Sequence, residues 1–434
     1  FHSLWCLGAQ RKGMVIQMEQ EKKTAPLRLT AAALLAGLAA GGVAALYRLA
    51  LEGAASLMDS AAAFARANAA GAVLWFAALA AMAAVVAFLL KKQPLIGGSG
   101  IPQVEKELHG KVQSSWLPVL AAKFAGGFLS LLGGLSLGRE GPSIQLGAMA
   151  GKGVSRLLRR DDEESRLLLS CGAGAGLAAA FHAPAAGVLF CLEELFGSFS
   201  PKLLLPLLAS VLSADLVSSC VFGVQPVFQF APSAELTPAL YALVLPLGVL
   251  LGVLGAFYNA ATVRGVSLLQ KKSGLPVFVR LLLPFLAAGV LALVCPVLLG
   301  SGHELVESAA AGTFAAWALA LLLLGKFVFS LLSFTSGAPG GIFFPLLVLG
   351  ALIGCLYGLG AVHLFGLDPG LVPVFLLLGM AGNFAAIVRA PFTGAVLLFE
   401  MTGSMPCLLP LLAVSWAACL TANALRSTPI YDSL

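Results

Sequence analysis

One acidic residue lies between segments that are otherwise apolar. The stretch SLGREGP, residues 136–142, places Glu140 beside Arg139 and frames the two charges with glycine and proline. Because burying a charged side chain in a membrane is costly, an acidic residue at membrane depth is a functional candidate by default. A carboxylate is itself an anion and can also take up a proton, so the chemistry to consider is anion or proton handling. Arg139 is either a local counter-charge or a residue that orients the loop, and we favour the second role.

Three glycine-rich breaks share one form. They are GGSGIP at 97–102, GREGP at 138–142 and GAPGGIFFP at 337–345, and in each a proline leads into an apolar segment. Glycine permits close backbone approach and proline favours the first turn of a helix, so each break predicts a helix N-terminus. Such an end carries unpaired N–H groups and a partial positive charge, and several ends that converge can bind an anion. A single break of this kind is more often a kink or turn, but three together favour the binding role.

The composition requires that these elements lie in a membrane. Of the 434 residues, 59% are hydrophobic and only 11% are charged, whereas soluble domains carry about 25% charged residues. The runs at 27–51, 71–90, 240–257 and 281–299 are long enough to cross a bilayer, and many other apolar segments are shorter. The net charge of +6 comes from basic clusters that flank the apolar runs. These clusters indicate cytoplasmic ends rather than nucleic-acid binding.

An internal repeat organises the chain. The segment from Lys123 matches the segment from Lys326 at an offset of 203 residues, including Pro142 with Pro345. The segment from 172 matches that from 379 at an offset of 207, and GSGIPQVE at 98–105 matches GSGHELVE at 300–307. We therefore predict an N-terminal cytoplasmic segment at 1–26, a first membrane repeat at 27–225, a linker at 226–234 and a second repeat at 235–434. Such duplications commonly give inverted repeats whose broken helices meet at a substrate site near the midplane; the alternative is a duplication retained only for packing.

The combined motifs resemble those of one membrane protein family. GSGIP, GREGP and GGIFFP occur in this order, followed by RAPFTGAVLLFEMTG and a late tyrosine in TPIYDSL. This pattern is similar to that of the CLC family of chloride channels and proton-coupled chloride transporters. The resemblance covers the chain from about residue 27 to its end. It implies an all-α membrane fold of about 18 tilted and broken helices in two inverted-topology repeats, and a homodimer with one ion pathway per subunit.

The resemblance also implies roles for particular residues. In the family, chloride is held by the serine of GSGIP, the late tyrosine and the backbone amides of the GxFxP motif; here these are Ser99, Tyr431, Ile342 and Phe343. Serine at the position of Ser99 accompanies chloride preference in the family, and proline there accompanies nitrate. Glu140 occupies the position of the external gate. Its carboxylate would block the anion path when charged and leave it when protonated.

A second glutamate bears on the mechanism. Exchangers of the family carry a proton-transfer glutamate at the second acidic position of the CLEEL stretch, which is Glu194 here. The resemblance therefore implies a secondary active transporter that exchanges chloride for protons, with Glu140 and Glu194 as the proton-transfer residues. The alternative is a passive voltage- or pH-gated chloride channel of the same fold, in which an apolar residue is typical at the position of Glu194. Glu193 is expected to cap or pack a helix.

Other classes of function lack the residues they need. No nucleophile–base pair, no HExxH sequence and no cysteine pair with metal-ligand spacing is present, so we predict neither an enzyme nor a metal or cofactor site. His182 is expected to be a satisfied polar residue near a helix start rather than a proton relay. The expected partners are chloride, protons and the lipid bilayer, and the expected location is a bacterial inner membrane.

Overall fold

The fold is a bundle of tilted helices, seen in a computed structural model. It describes residues 27–434 except 200–202, 225, 229 and 231–236, together with the backbone of 2–26 and 201–202. No β-strand occurs in these described ranges; the one extended pairing is an isolated bridge between Gly138 and Gly341. The helices are α1 (His2–Ala67), α2 (Ala69–Lys92), α3 (Ile101–Leu108), α4 (Trp116–Leu132), α5 (Glu140–Leu157), α6 (Asp162–Phe181), α7 (Pro184–Phe190), α8 (Pro201–Phe222), α9 (Tyr241–Val266), α10 (Val277–Val294), α11 (His303–Ala310), α12 (Ala316–Thr335), α13 (Phe343–Phe365), α14 (Val372–Val388), α15 (Pro391–Thr402) and α16 (Leu408–Ala424).

Long and short helices alternate along the chain. Within the described residues, nine helices are long and apolar enough to cross a membrane. Between them lie the short helices α3, α7 and α11, of eight, seven and eight residues. A helix of eight residues is only about 12 Å long and cannot cross 30 Å of hydrocarbon. These three helices therefore do not cross the whole bilayer, in line with the short apolar segments in the sequence.

The two halves of the chain repeat one order of elements. A 3₁₀ turn at Pro94–Ile96, α3, α4 and α5 follow one another in the first half. A 3₁₀ turn at Pro296–Leu298, α11, α12 and α13 follow in the same order in the second half. The repeat found in the sequence is thus present in the structure, in an all-α membrane fold. The predicted segments 1–26 and 226–234 lie largely outside the described side chains, and the domain boundaries remain predictions.

The interior is formed by the helices that follow the glycine-rich breaks. Helix α5 is buried from Glu140 to Gly153, and α14 is buried along almost its whole length. Glycines allow α5 and α6 to approach closely, because a Cβ on Gly147 would collide with the carbonyl of Gly172. Exposed large hydrophobic side chains lie mainly on the outer helices α1, α2, α8, α9, α10 and α12. The glycine-rich helix ends therefore lie inside protein, where irregular backbone at membrane depth is tolerated.

Candidate anion and proton site

Three helices begin at the glycine-rich breaks, as predicted. Helix α3 begins after Gly100, which has a left-handed φ of 93°, α5 begins after Arg139, and α13 begins after Ile342. None of these three N-cap residues supplies a side-chain hydrogen bond. The first turns of all three are buried. Their free N–H groups and positive dipole ends are therefore directed into the protein, where they can stabilise an anion.

Backbone contacts hold the three ends together. Gly138 and Gly341, which are equivalent in the repeat, exchange two hydrogen bonds, with N···O distances of 2.7 and 2.8 Å. The N–H of Gly340 donates to the carbonyl of Gly98 over 3.0 Å. A Cβ on Gly141 would lie 2.8 Å from the carbonyl oxygen of Ser99. The three breaks thus meet at one place, although they begin at residues 97, 138 and 337 of the sequence.

The carboxyl of Glu140 lies at this junction. The residue is 1% exposed, and its carboxyl reaches back over Gly138 to the first turn of α13, beside Phe344. The backbone N–H groups of Glu140 and Phe344 lie close enough to stabilise its negative charge. Its Oε2 atom makes no full hydrogen bond to any described residue. The side chain therefore occupies a position at an anion-stabilising helix end without being held by a salt bridge.

Ser99 lines the opposite side of the junction. Its side chain is 2% exposed, and its hydroxyl accepts a hydrogen bond of 3.3 Å from the N–H of Ile101. Ser99 and Gln103 also line a cavity of about 470 Å³ that opens beside Lys91, on the side predicted to be cytoplasmic. The amide of Gln103 donates to the carbonyl of Gly97. Ser99 therefore lies between this cavity and the buried junction.

Tyr431 reaches the site from the end of the chain. It is 1% exposed, and its hydroxyl has no hydrogen-bond partner among the described residues. It lies within electrostatic range of both Glu140 and Glu194. Its loop is anchored by Asn259, whose amide donates to the carbonyl of Thr428, and by a backbone bond from Ile430 to the chain at 387. These two contacts fix the loop so that the phenol of Tyr431 lies in the protein interior.

Glu194 is separate from this cluster. It lies in a short π-helical turn at Cys191–Leu195, which follows α7. Its electrostatic neighbours are Asp432, Glu105 and Glu193, all carboxylates. Tyr431 is the predicted site residue that neighbours both Glu194 and Glu140. The structure thus brings Ser99, Glu140, Ile342 and Phe343 to one junction, and it places Tyr431 within electrostatic range of both Glu140 and Glu194.

The neighbouring Glu193 has a different environment and caps a helix, as predicted. Its carboxylate accepts from the N–H groups of Phe392 and Thr393 at the start of α15, at 3.2 and 2.8 Å. Glu400, its repeat partner, accepts from the N–H groups of Ala185 and Ala186 at the start of α7, at 3.0 and 2.8 Å. Each half thus caps a helix of the other half. Two helix ends are satisfied by glutamates of the opposite half, while the three at the junction receive no side-chain bond from their N-cap residues.

A buried lysine supports the glycine-rich turn ahead of α3. Lys123 donates to the carbonyls of Ile96 and Gly98, at 2.9 and 2.7 Å. It thereby holds the turn that leads into Ser99. The sequence showed Lys123 only as a matching position of the repeat, and neither its role nor that of Asn259 was predicted. A charged residue inside an otherwise apolar helix was the available signal.

His182 has polar partners and lies near a helix start, as expected, because α7 begins at Pro184. It is the C-cap of α6 in the left-handed conformation, with φ of 52°. Its ring nitrogens lie 3.3 Å from Asp215 and 3.4 Å from Arg48. Within the described residues, no group of three or more His, Cys, Asp or Glu side chains is arranged to hold a metal ion.

Comparisons with known proteins agree with this geometry. Residues 82–423 match the family described as voltage gated chloride channel. The chain is 36% identical over 366 residues to the H(+)/Cl(-) exchange transporter ClcA of Salmonella paratyphi A, covering 82% of this chain and 77% of that protein. ClcA of Salmonella typhimurium is 37% identical over 369 residues, with the same coverage.

Solved structures show the same fold. A slow cyanobacterial Cl⁻/H⁺ antiporter superposes with a TM-score of 0.88 and 31% identity, covering 93% of this chain and 96% of that one. A CLC-type fluoride/proton antiporter superposes with a TM-score of 0.78 at 22% identity, covering 94% of this chain and 97% of that one, and this second likeness supports the fold alone. With its apolar helices and bacterial relatives, the protein is a multi-pass protein of a bacterial inner membrane. The chain therefore belongs to the CLC family of chloride channels and transporters.

Proposed function

We propose that the protein is a secondary active transporter that exchanges chloride for protons. The observation that carries the proposal is the buried carboxyl of Glu140 at the amide-rich N-terminus of α13, beside Ser99. A charged carboxylate competes with chloride for the same amides. Protonation removes that charge, so the Glu140 side chain moves away from the amides and chloride takes its place there. One group thereby couples the two ions.

Chloride is held by dipoles in this proposal. The hydroxyls of Ser99 and Tyr431 and the amides of Ile342 and Phe343 serve as its ligands. Oriented dipoles stabilise an anion without a full cation, which keeps binding weak enough for release. The unpartnered phenol of Tyr431 and the N-terminus of α13, which its N-cap residue does not cap, support this assignment, because both present hydrogen-bond donors to the site.

Protons take a route that is partly separate. Glu194 accepts them on the cytoplasmic side and passes them towards Glu140. The electrostatic interaction of Tyr431 with both glutamates supports this route. We further propose, from the family resemblance, that two copies form a homodimer with one pathway each.

Purified protein in liposomes tests the proposal. A chloride gradient should drive protons uphill in the wild type. E140Q should abolish proton movement while chloride flux continues, because glutamine cannot carry a proton. E194Q should also lose proton coupling, whereas the exposed Glu304 on α11 provides a control, E304Q, that should keep it.

The passive channel is the competing function. It predicts chloride flux with no proton movement in either direction, and it is disfavoured by the carboxylate at Glu194. A wild type that moves chloride but never protons would establish the channel instead.

A further inference from the structure

Tyr47 on α1 is a buried phenol that the proposed mechanism does not use. It is fully buried, and its hydroxyl makes no hydrogen bond to any described residue. The ring packs edge-on against Phe124, with centroids 5.1 Å apart. The phenol oxygen lies against Gly127 of α4, where a Cβ would collide with it. Glycine at 127 therefore leaves room for a polar atom in an otherwise apolar layer.

The phenol lies close to the gate residue. Tyr47 interacts electrostatically with Glu140 and with Arg139. It also packs with Leu146, two turns along α5 from Glu140. Two buried polar atoms without partners, the Tyr47 hydroxyl and Glu140 Oε2, therefore share this region. Leaving such atoms unpaired costs desolvation free energy with no hydrogen bond in return.

Tyr47 lies towards the outer face. It is 20 residues beyond Leu27, the start of the apolar part of α1, which corresponds to about 30 Å along a helix. Leu27 adjoins the basic segment that is predicted to be cytoplasmic. A carboxyl that leaves α13 towards the outside would therefore approach the side of Glu140 on which α1 packs.

We propose that the hydroxyl of Tyr47 forms a hydrogen bond with Glu140 when the protonated carboxyl leaves the N-terminus of α13 towards the outer face. This inference rests on the proposed exchange function. The carboxyl O–H can donate to the phenol oxygen, or the phenol can donate to the carboxyl C=O, so a neutral side chain retains a partner in a buried place. Tyr47 thus stabilises the open, protonated state relative to the closed one.

Other charged groups face this region. On α1 they are Arg48 and Glu52, which form an ion pair of 3.0 Å. Arg139 lies on α5 itself. Helix α11 contributes His303, whose Nε2 is 3.4 Å from Glu307 and whose ring lies within electrostatic range of Arg139 and Arg48. Since the imidazoles of His303 and His182 also lie in this region, a pH profile alone cannot isolate Tyr47, and the test must separate its effect from theirs.

Y47F removes only the oxygen and is compared in liposomes with the wild type, E140Q and the double variant. Y47F should slow chloride flux about fivefold near neutral pH, the effect of one lost hydrogen bond. It should also move the flux profile about 0.7 unit towards lower pH, since opening then requires more protons. In the double variant, Y47F should no longer move the pH profile, because glutamine at position 140 takes up no proton.

The control is Y357F. The hydroxyl of Tyr357 donates to the carbonyl of Leu243 over 2.8 Å, away from the junction, and its loss should leave the pH profile unchanged. An equal shift of the pH profile by Y47F in the wild-type and E140Q backgrounds would show a structural role and overturn the inference. The inference would also be overturned if Y47F kept the wild-type chloride flux and pH profile while the wild type exchanged chloride for protons. Failure of the exchange function itself would appear in the wild-type and E140Q measurements instead.

Discussion

The two halves of the protein share a backbone design but differ in the chemistry they carry. Lys326 donates to the carbonyls of Leu298 and Gly300 at 2.9 and 2.8 Å. Lys123 makes the equivalent two bonds in the first half. Gly302 ahead of α11 has the same φ of 93° as Gly100 ahead of α3. The duplicated scaffold has thus kept its turns and their buried lysine supports.

The two carboxylates proposed to move protons both occur in the first half. At the repeat offset, Glu140 corresponds to Phe343, and Glu194 corresponds to Met401. Glu193, in contrast, has a glutamate partner in Glu400. The comparison teaches that residues serving the backbone are duplicated, while the two carboxylates proposed to move protons are not. A symmetric scaffold therefore supports a pathway whose two ends are chemically different.

The largest effect is expected from removing either lysine. K326M removes the donor to two buried carbonyls, whereas K123M leaves only that of Ile96 without a donor, because Gly98 still accepts from Gly340. The free energy of unfolding should therefore fall by about 2–6 kcal/mol in K326M and by about 1–3 kcal/mol in K123M. Thermal unfolding in detergent measures this loss, with the exposed Lys111 changed to Met as the control. Only K123M should also weaken chloride binding, measured by calorimetry, because only its turn leads into Ser99. Equal weakening in both variants would contradict the functional difference between the halves.

A smaller effect is expected at the crossing of the two halves. G141A places a Cβ 2.8 Å from the carbonyl of Ser99 and 3.2 Å from the Cα of Gly341. Because backbone atoms cannot move aside freely, we expect a loss of about 1–3 kcal/mol in unfolding free energy and a reduced chloride flux. The control is G97A, where a Cβ meets its neighbours at 3.4–3.5 Å and φ is −65°. Wild-type flux in G141A would show that the close approach is not required.

The smallest effect concerns the reciprocal caps. E193Q and E400Q each weaken the capping of two N–H groups, and each should cost about 1 kcal/mol of unfolding free energy. Similar losses are expected because the two carboxylates make similar bonds in opposite halves. Proton coupling should persist in both variants, in contrast to E194Q, and loss of coupling in E193Q would contradict the separation of Glu193 from Glu194. Thermal unfolding and liposome flux assays measure the two properties.

Local sequence was sufficient for several structural features. Gly-Pro chemistry predicted where α3, α5 and α13 begin, because backbone freedom and the fixed φ of proline act within a few residues. The repeat register predicted that Gly138 and Gly341 are equivalent, and they are paired in the structure. Composition predicted a helical membrane protein. All three inferences depend on neighbouring residues or on averages over the chain.

Other features could not be anticipated from local patterns. Tyr47 and Asn259 occur in ordinary apolar helices, and no motif marks them. The number of α-helices in the described residues is sixteen, against about 18 expected, with the remaining turns 3₁₀ or π-helical. Whether a short segment forms an α-helix or a 3₁₀ turn depends on its neighbours in space, since so few hydrogen bonds decide between them.

The sequence by itself determined the membrane class, the duplication and the residues at which the buried helices begin, because these follow from hydropathy, spacing and the conformational limits of glycine and proline. Only the tertiary structure decided which of those helix ends meet. It also decided that Glu193 caps a helix while Glu194 faces other carboxylates, and that Tyr47 lies near Glu140. The physical reason is that such contacts join residues many tens to hundreds of positions apart, so packing between helices sets them.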